Sequence, residues 1–184
     1  MASTLAKWHT EHVNFGRLLD CLEAQLDLFH DGEGTPHYEL MLDVMFYMTH
    51  YPDVIHHPKE DLAFELIRAR DPQVAAIVDA LDQQHEDLRR MGAELVVHLS
   101  DIFNGAIASR EAVETLARDY VATFREHIGF EERKMLPMAA RLLDDKDWAE
   151  IDAAVRHIDD PLFGHNPEPR YRTIERHLER QAQA

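Results

Sequence analysis

Two histidine–glutamate pairs carry the chemistry of this sequence: His56 with Glu60, and His127 with Glu131. Each has i,i+4 spacing, which stacks an imidazole and a carboxylate on one face of a helix. A carboxylate in that position can bridge two metal ions while its histidine binds one of them. His12 precedes the first pair and His85 the second, a weak internal repeat that would give two ions matched surroundings. Imidazole plus carboxylate suits iron, manganese or zinc. The one cysteine, Cys21, rules out an intramolecular disulfide, and the lack of thiolate ligands argues against a structural zinc site.

These six residues meet only if each lies on the inward stripe of its own helix. The apolar spacing predicts such stripes. A first helix runs from the Ser3-Thr4 cap to about Phe29 through Leu5, Trp8, His12, Phe15, Leu19, Leu22 and Leu26, and Asp31-Gly32-Glu33-Gly34 ends it. Thr35-Pro36 opens a second, with a stripe through Met41, Met45, Thr49, His56, Glu60, Ala63 and Ile67. Pro52 and Pro58 lie inside it, so a kink or local unwinding is expected near Tyr51-Pro52. Asp71-Pro72 starts a third, through Val78, Leu81, His85, Leu88 and Leu95 to Asn104-Gly105. Ser109 caps a fourth, through Val113, Tyr120, Phe124, His127, Glu131 and Met135 to Leu142, and Pro137 is expected to bend its last turn.

Long amphipathic helices with short links give an all-α, up-down-up-down antiparallel four-helix bundle. The bundle is expected over residues 1–145. Residues 146–184 form a C-terminal helical appendage: a short acidic helix from Lys146 to His157, a Pro/Gly-broken stretch, and a polar segment from Arg170 to Gln183 that either packs across the bundle or stays mobile. With 184 residues, 45% of them hydrophobic, the chain can bury one core. A formal net charge of −16 makes nucleic acid and anionic membranes poor partners. No basic–apolar leader opens the sequence, and no run approaches the roughly 18 apolar residues that span a bilayer, so a soluble cytoplasmic protein is expected.

The order His12, His56-x-x-x-Glu60, His85, His127-x-x-x-Glu131 resembles the hemerythrin-like, or HHE cation-binding, family. So do the flanking stretches His56-His57-Pro58-Lys59-Glu60-Asp61 and Glu131-Glu132-Arg133-Lys134-Met135-Leu136-Pro137. The resemblance covers about residues 5–142. It implies a hemerythrin-like bundle holding two iron ions, oxo- or hydroxo-bridged and carboxylate-bridged, with His12, His56, Glu60, His85, His127 and Glu131 as ligands. It also implies binding of, or reaction with, a small diatomic ligand or peroxide: oxygen, nitric oxide or hydrogen peroxide. Oxygen-carrying members have a second histidine one turn after the third-helix ligand. Here that position is Arg89, which argues against reversible oxygen carriage. Tyr51 is a candidate replacement ligand, swung inward by a loosened turn at Pro52; the competing reading is a core aromatic bonded through its hydroxyl.

Three functions follow from the resemblance. One is an oxidoreductase that detoxifies nitric oxide or peroxide with an unknown electron donor. Another is a sensor coupling the centre to the C-terminal segment, and the third is an oxygen-binding or iron-storage protein without turnover. A ferritin-like oxidase needs Glu-x-x-His on two helices, and only Asp53-x-x-His56 and Asp82-x-x-His85 approach that pattern. His9 and His57 read as outer partners of the ligands or exposed neighbours, His50 as lining an access path, and Asp61 and Glu132 as acceptors behind the site or solvated charges. His30, His37, His98, His157, His165 and His177 read as surface residues.

Overall fold

The computed structural model describes residues 2–31, 35–106, 109–156 and 158–181, and no strand occurs among them. Four helical runs make an all-α bundle. The first is α1 (Ala2–Asp31). The second comprises α2 (Tyr38–Met48), a π-helical turn (Pro52–His56) and α3 (His57–Arg70). The third is α4 (Ala75–Phe103). The fourth comprises α5 (Arg110–Phe130), a second π-helical turn (Glu131–Met135) and α6 (Leu136–Leu142). Cross-helix pairs show antiparallel packing. Asp20 and Asp27 of α1 bond Arg125 and Arg118 of α5, while Asp61 and Arg68 of α3 bond His85 and Asp79 of α4.

The ends differ in detail from expectation. α1 begins at Ala2, ahead of the Ser3-Thr4 start. His37, rather than Thr35, caps α2 by accepting the Leu40 N–H at 3.1 Å. Asp71 caps a 3-10 turn that leads into α4, whereas Ser109 caps α5 as expected. Residues 32–34, His157 and the side chain of Phe29 lie outside the described part of the chain.

Both interrupted runs break in the same way. In each, the five-residue π turn ends two positions before a proline, Pro58 or Pro137. Proline has no N–H to give the carbonyl four residues back, and its ring crowds that carbonyl. Opening the turn relieves this, and i→i+5 bonds form instead, from His57 N–H to Pro52 O and from Leu136 N–H to Glu131 O. The break near Tyr51-Pro52 therefore falls where the sequence put it. The break in the fourth run does not: it precedes Pro137 and begins at Glu131 itself.

The core is two apolar clusters with a polar layer between them. On α1 the order is Trp8, then His12, then Phe15; on α4 it is Leu81, His85, Leu88. Ile55 and Ala63 flank His56–Glu60, and Phe124 and Met135 flank His127–Glu131, with the two clusters again on opposite sides. The C-terminal part docks on this bundle. α7 (Asp145–Ala154) starts with a capping box between Asp144 and Asp147 and sets Trp148 edge-on to Trp8 at 5.5 Å. α8 (Arg172–Gln181) buries Ile174 and Leu178, and Tyr171 just before it stands edge-on to Tyr47. No helix of the described residues is long and apolar enough to cross a membrane.

Candidate metal centre

The polar layer contains all six residues singled out by spacing, each at most 3% exposed. His12 comes from α1, His56 from the end of the first π turn, Glu60 from α3, His85 from α4, His127 from α5, and Glu131 from the start of the second π turn. Their ring nitrogens converge in two pairs. His12 Nε2 lies 2.9 Å from His56 Nε2, and His85 Nε2 lies 3.2 Å from His127 Nε2. Two ligands about 2.1 Å from one ion, at a right angle, would stand about 3.0 Å apart. Glu60 places Oε1 3.3 Å from His12 Nε2 and Oε2 3.2 Å from His56 Nε2. Glu131 Oε2 lies 3.5 Å from His12 Nε2 and 3.3 Å from His127 Nε2, and so reaches both pairs.

Behind each ring stands an acceptor. His12 Nδ1 meets Glu132 at 2.7 Å, His56 Nδ1 meets Glu11 at 2.8 Å, His85 Nδ1 meets Asp61 at 2.7 Å, and His127 Nδ1 meets Gln84 at 3.1 Å. An acceptor at Nδ1 holds a proton there and turns Nε2 inward, where a metal ion displacing any Nε2 proton would find the lone pair a metal-ligating histidine needs. Asp61 and Glu132 thus sit behind the ligands, and Glu132 also meets the exposed His9 at 3.0 Å. Glu11 and Gln84 were not singled out by the sequence. Their only signal was position: each adjoins a candidate ligand.

Tyr51 faces this outer ring of partners and not the layer. Its hydroxyl donates to Glu11 Oε1 at 2.7 Å, one residue removed from His56, and its ring stacks on Tyr47. This is the contact of a core aromatic bonded through its hydroxyl. His50 is exposed, stacks on Phe46 at 3.7 Å, and lies with Tyr51 and Ile55 on the wall of a cavity of about 250 Å³. Arg89 points outward, 42% exposed, and pairs with Glu86 at 2.7 Å.

One histidine is not where the sequence suggested. His57, read as an outer partner or an exposed neighbour, is 1% exposed and lies inside the layer. Its ring stacks on His85 at 4.2 Å. Atoms of His57, Glu60, His85 and His127 lie within 4.8 Å of one another, as do those of His12, His56 and Glu60. Glu60 belongs to both groups.

The electrostatics show what the layer lacks. Burial opposes a charge on Glu60, but His56 and His12 outweigh it and hold its pKa well below the usual value. Burial, reinforced by the Glu60 charge, raises Glu131 to about 7. Burial resists protonation of His12, yet Glu132, Glu60 and Glu131 bring its pKa to about 10. His85 also reaches about 10, because Asp61 and Glu131 overcome its burial. Burial and the neighbouring His85 hold His127 down at about 3. The carboxylates thus favour positive charge at one imidazole of each pair, His12 and His85.

All four carboxylate oxygens of Glu60 and Glu131 are buried without an aligned hydrogen-bond donor. Buried carboxylates left in this way are costly unless cations compensate them. The donor set, the inward Nε2 atoms and the orphaned oxygens fit metal ions. These features fit a helical-bundle protein that holds metal ions among histidine and carboxylate groups. Compared with known families, the chain matches the Hemerythrin HHE cation binding domain over residues 3–139, and it belongs to that family. No curated protein and no solved structure matches it.

Proposed function

We propose that this is a di-iron protein that binds a small diatomic ligand or peroxide and reduces it with electrons from an external donor. The observation that carries the reading is Glu60, buried and shared by two groups of histidines. When bound, two iron ions supply redox chemistry and an open coordination position for oxygen, nitric oxide or peroxide. The chain's part is to hold the ligands ready. Four acceptors behind the rings fix every Nε2 inward, so little reorganisation accompanies binding. Phe15, edge-on to His56 at 5.0 Å, and Phe124, edge-on to His127 at 6.1 Å, close one side of the layer with apolar surface. Trp8, 6.3 Å from His56, covers the other. These walls keep bulk water from the reacting ligand and strengthen electrostatic interactions inside. Arg89, exposed where oxygen carriers have a histidine, favours reaction over reversible carriage. The test is consumption of nitric oxide or hydrogen peroxide by the iron-loaded, reduced protein. Turnover lost in Glu60→Ala supports the reading, and no consumption by the wild type overturns it.

A sensing role has its own support. The C-terminal segment touches the outer ring of the site: Tyr47 donates to Asp160 at 2.9 Å, stacks on Tyr51, and Tyr51 bonds Glu11 behind His56. A ligand that moved His56 would be felt at Asp160. Limited proteolysis of the segment in metal-free, ferrous and ferric protein tests this, and identical cleavage in all three forms rejects it.

A further inference from the structure

We propose that His57 is a metal ligand, supplying a third nitrogen to the position held by His85 and His127. The inference rests on the metal-centre reading above and extends it to a residue outside the two His-x-x-x-Glu pairs.

Three observations converge. The ring of His57 is 1% exposed, and both its nitrogens are buried without a hydrogen-bond partner. No other histidine of the layer has both nitrogens in that state. Asp53 Oδ1 lies 3.3 Å from Nδ1 but is not aligned to accept from it. A buried imidazole with neither nitrogen bonded costs free energy that a purely structural aromatic in the same place would not. In addition, His57 offers a nitrogen within 4.8 Å of ligand atoms of Glu60, His85 and His127. Its ring lies nearly parallel to that of His85, at 17°, and perpendicular to that of His127, at 89°. Stacked rings do not aim their in-plane lone pairs at one point, so the His57 ring turns out of the stack to bring its bare nitrogen onto the ion held by His85 and His127.

The backbone explains how neighbours can both ligate. In an α-helix successive side chains point about 100° apart, and Glu60, four residues after His56 and three after His57, points between them. Here the first π turn ends at His56, and its closing bond runs from the His57 N–H to Pro52 O. His56 then serves the His12 side and His57 the His85–His127 side.

The experiment uses the full chain with ferrous iron and, separately, Co²⁺ as probe. The variants are His57→Ala and His57→Phe, the second keeping an aromatic ring against His85. Helical circular dichroism of the metal-free forms checks folding. Wild type is expected to take two ions. Both variants should keep one at wild-type affinity and bind the other at least about tenfold more weakly, with altered Co²⁺ d–d absorption. Free imidazole should restore the absorption in His57→Ala and not in His57→Phe. Two ions held at wild-type affinity with an unchanged spectrum in both variants overturn the inference while leaving the di-iron reading intact. If wild type takes a single ion, the di-iron reading fails. The His57 inference then holds if that ion's absorption changes in both variants and falls if it does not.

Discussion

Glu11 makes a sharp test of the outer ring. It is 6% exposed, accepts the Tyr51 hydroxyl on Oε1 at 2.7 Å, and accepts His56 Nδ1 on Oε2 at 2.8 Å. Burial opposes its charge, but these donors and Lys7 outweigh that and keep its pKa low. Glu11→Ala strips an acceptor from two buried donors. A buried donor left unpaired costs about 1–3 kcal/mol. Glu11 also lines a surface cavity of about 290 Å³, so water can reach the gap and the lower end applies, about 2 kcal/mol for the pair. Metal affinity should fall by about 10–100-fold, because His56 loses the group that orients its ring. Glu11→Gln separates the two effects. Its carbonyl can still take the His56 N–H and its amide can donate to the Tyr51 oxygen, so metal-free stability should fall by less than about 1 kcal/mol. The lost charge should still weaken metal binding by about tenfold. Urea unfolding of the metal-free proteins gives the stability, and chelator competition gives the affinity. Wild-type affinity in Glu11→Ala would refute the reasoning, because His56 would then be oriented by something other than this carboxylate.

Other perturbations have clear expected outcomes. Tyr51→Phe removes one hydrogen bond to Glu11 and should cost about 1 kcal/mol, yet leave the visible spectrum of the iron-loaded protein unchanged; loss of a long-wavelength band would show that the phenol binds iron after all. Gly92→Ala places a Cβ 2.7 Å from Thr49 Cγ2 and 3.3 Å from Tyr120 Cε2. Because Thr49 Oγ1 is tied to Met45 O, the clash should cost about 1–3 kcal/mol and outweigh the helix preference for alanine, so the melting temperature should drop, and a rise would refute the close approach. Asp147→Asn should weaken the metal-free protein at neutral pH. The Arg70 guanidinium holds the Asp147 pKa below its usual value, so the pair's contribution is full above the ordinary carboxylate range and lost as pH falls through the lowered pKa. Unfolding midpoints of variant and wild type should therefore converge in acid, and a gap that persists there would contradict the pairing.

The convergence of six buried His and Glu side chains was legible because α-helical periodicity is regular: His12 and His85 fall on apolar stripes, and the two i,i+4 pairs share a face with them. What stayed hidden depended on departures from that regularity or on distant contacts. His57 falls off the apolar stripe, about 100° from His56, yet it is buried in the layer just past the π turn. Pro58 and Pro137 announced trouble, but an isolated proline does not say whether the helix kinks, unwinds or widens, and the widening at Glu131 was missed. Glu11 meets Tyr51 and His56 across 40 and 45 residues, and Glu132 meets His12 across 120. Nothing local to Glu11 separates it from a solvated glutamate on α1. The docking of the last helix was half legible. Tyr171, Ile174 and Leu178 keep helical spacing, but three apolar residues in a polar segment do not tell where they pack.

The central claim is that one buried layer holds two ions through a shared Glu60. The direct measurement is iron content per chain after anaerobic reconstitution with ferrous iron and removal of loose metal, read with Mössbauer spectroscopy after exposure to air. Two irons per chain with the spectrum of a coupled ferric pair, falling to one or fewer in Glu60→Ala, is the predicted result. A single uncoupled iron in the wild type, or two irons retained unchanged in Glu60→Ala, would contradict it.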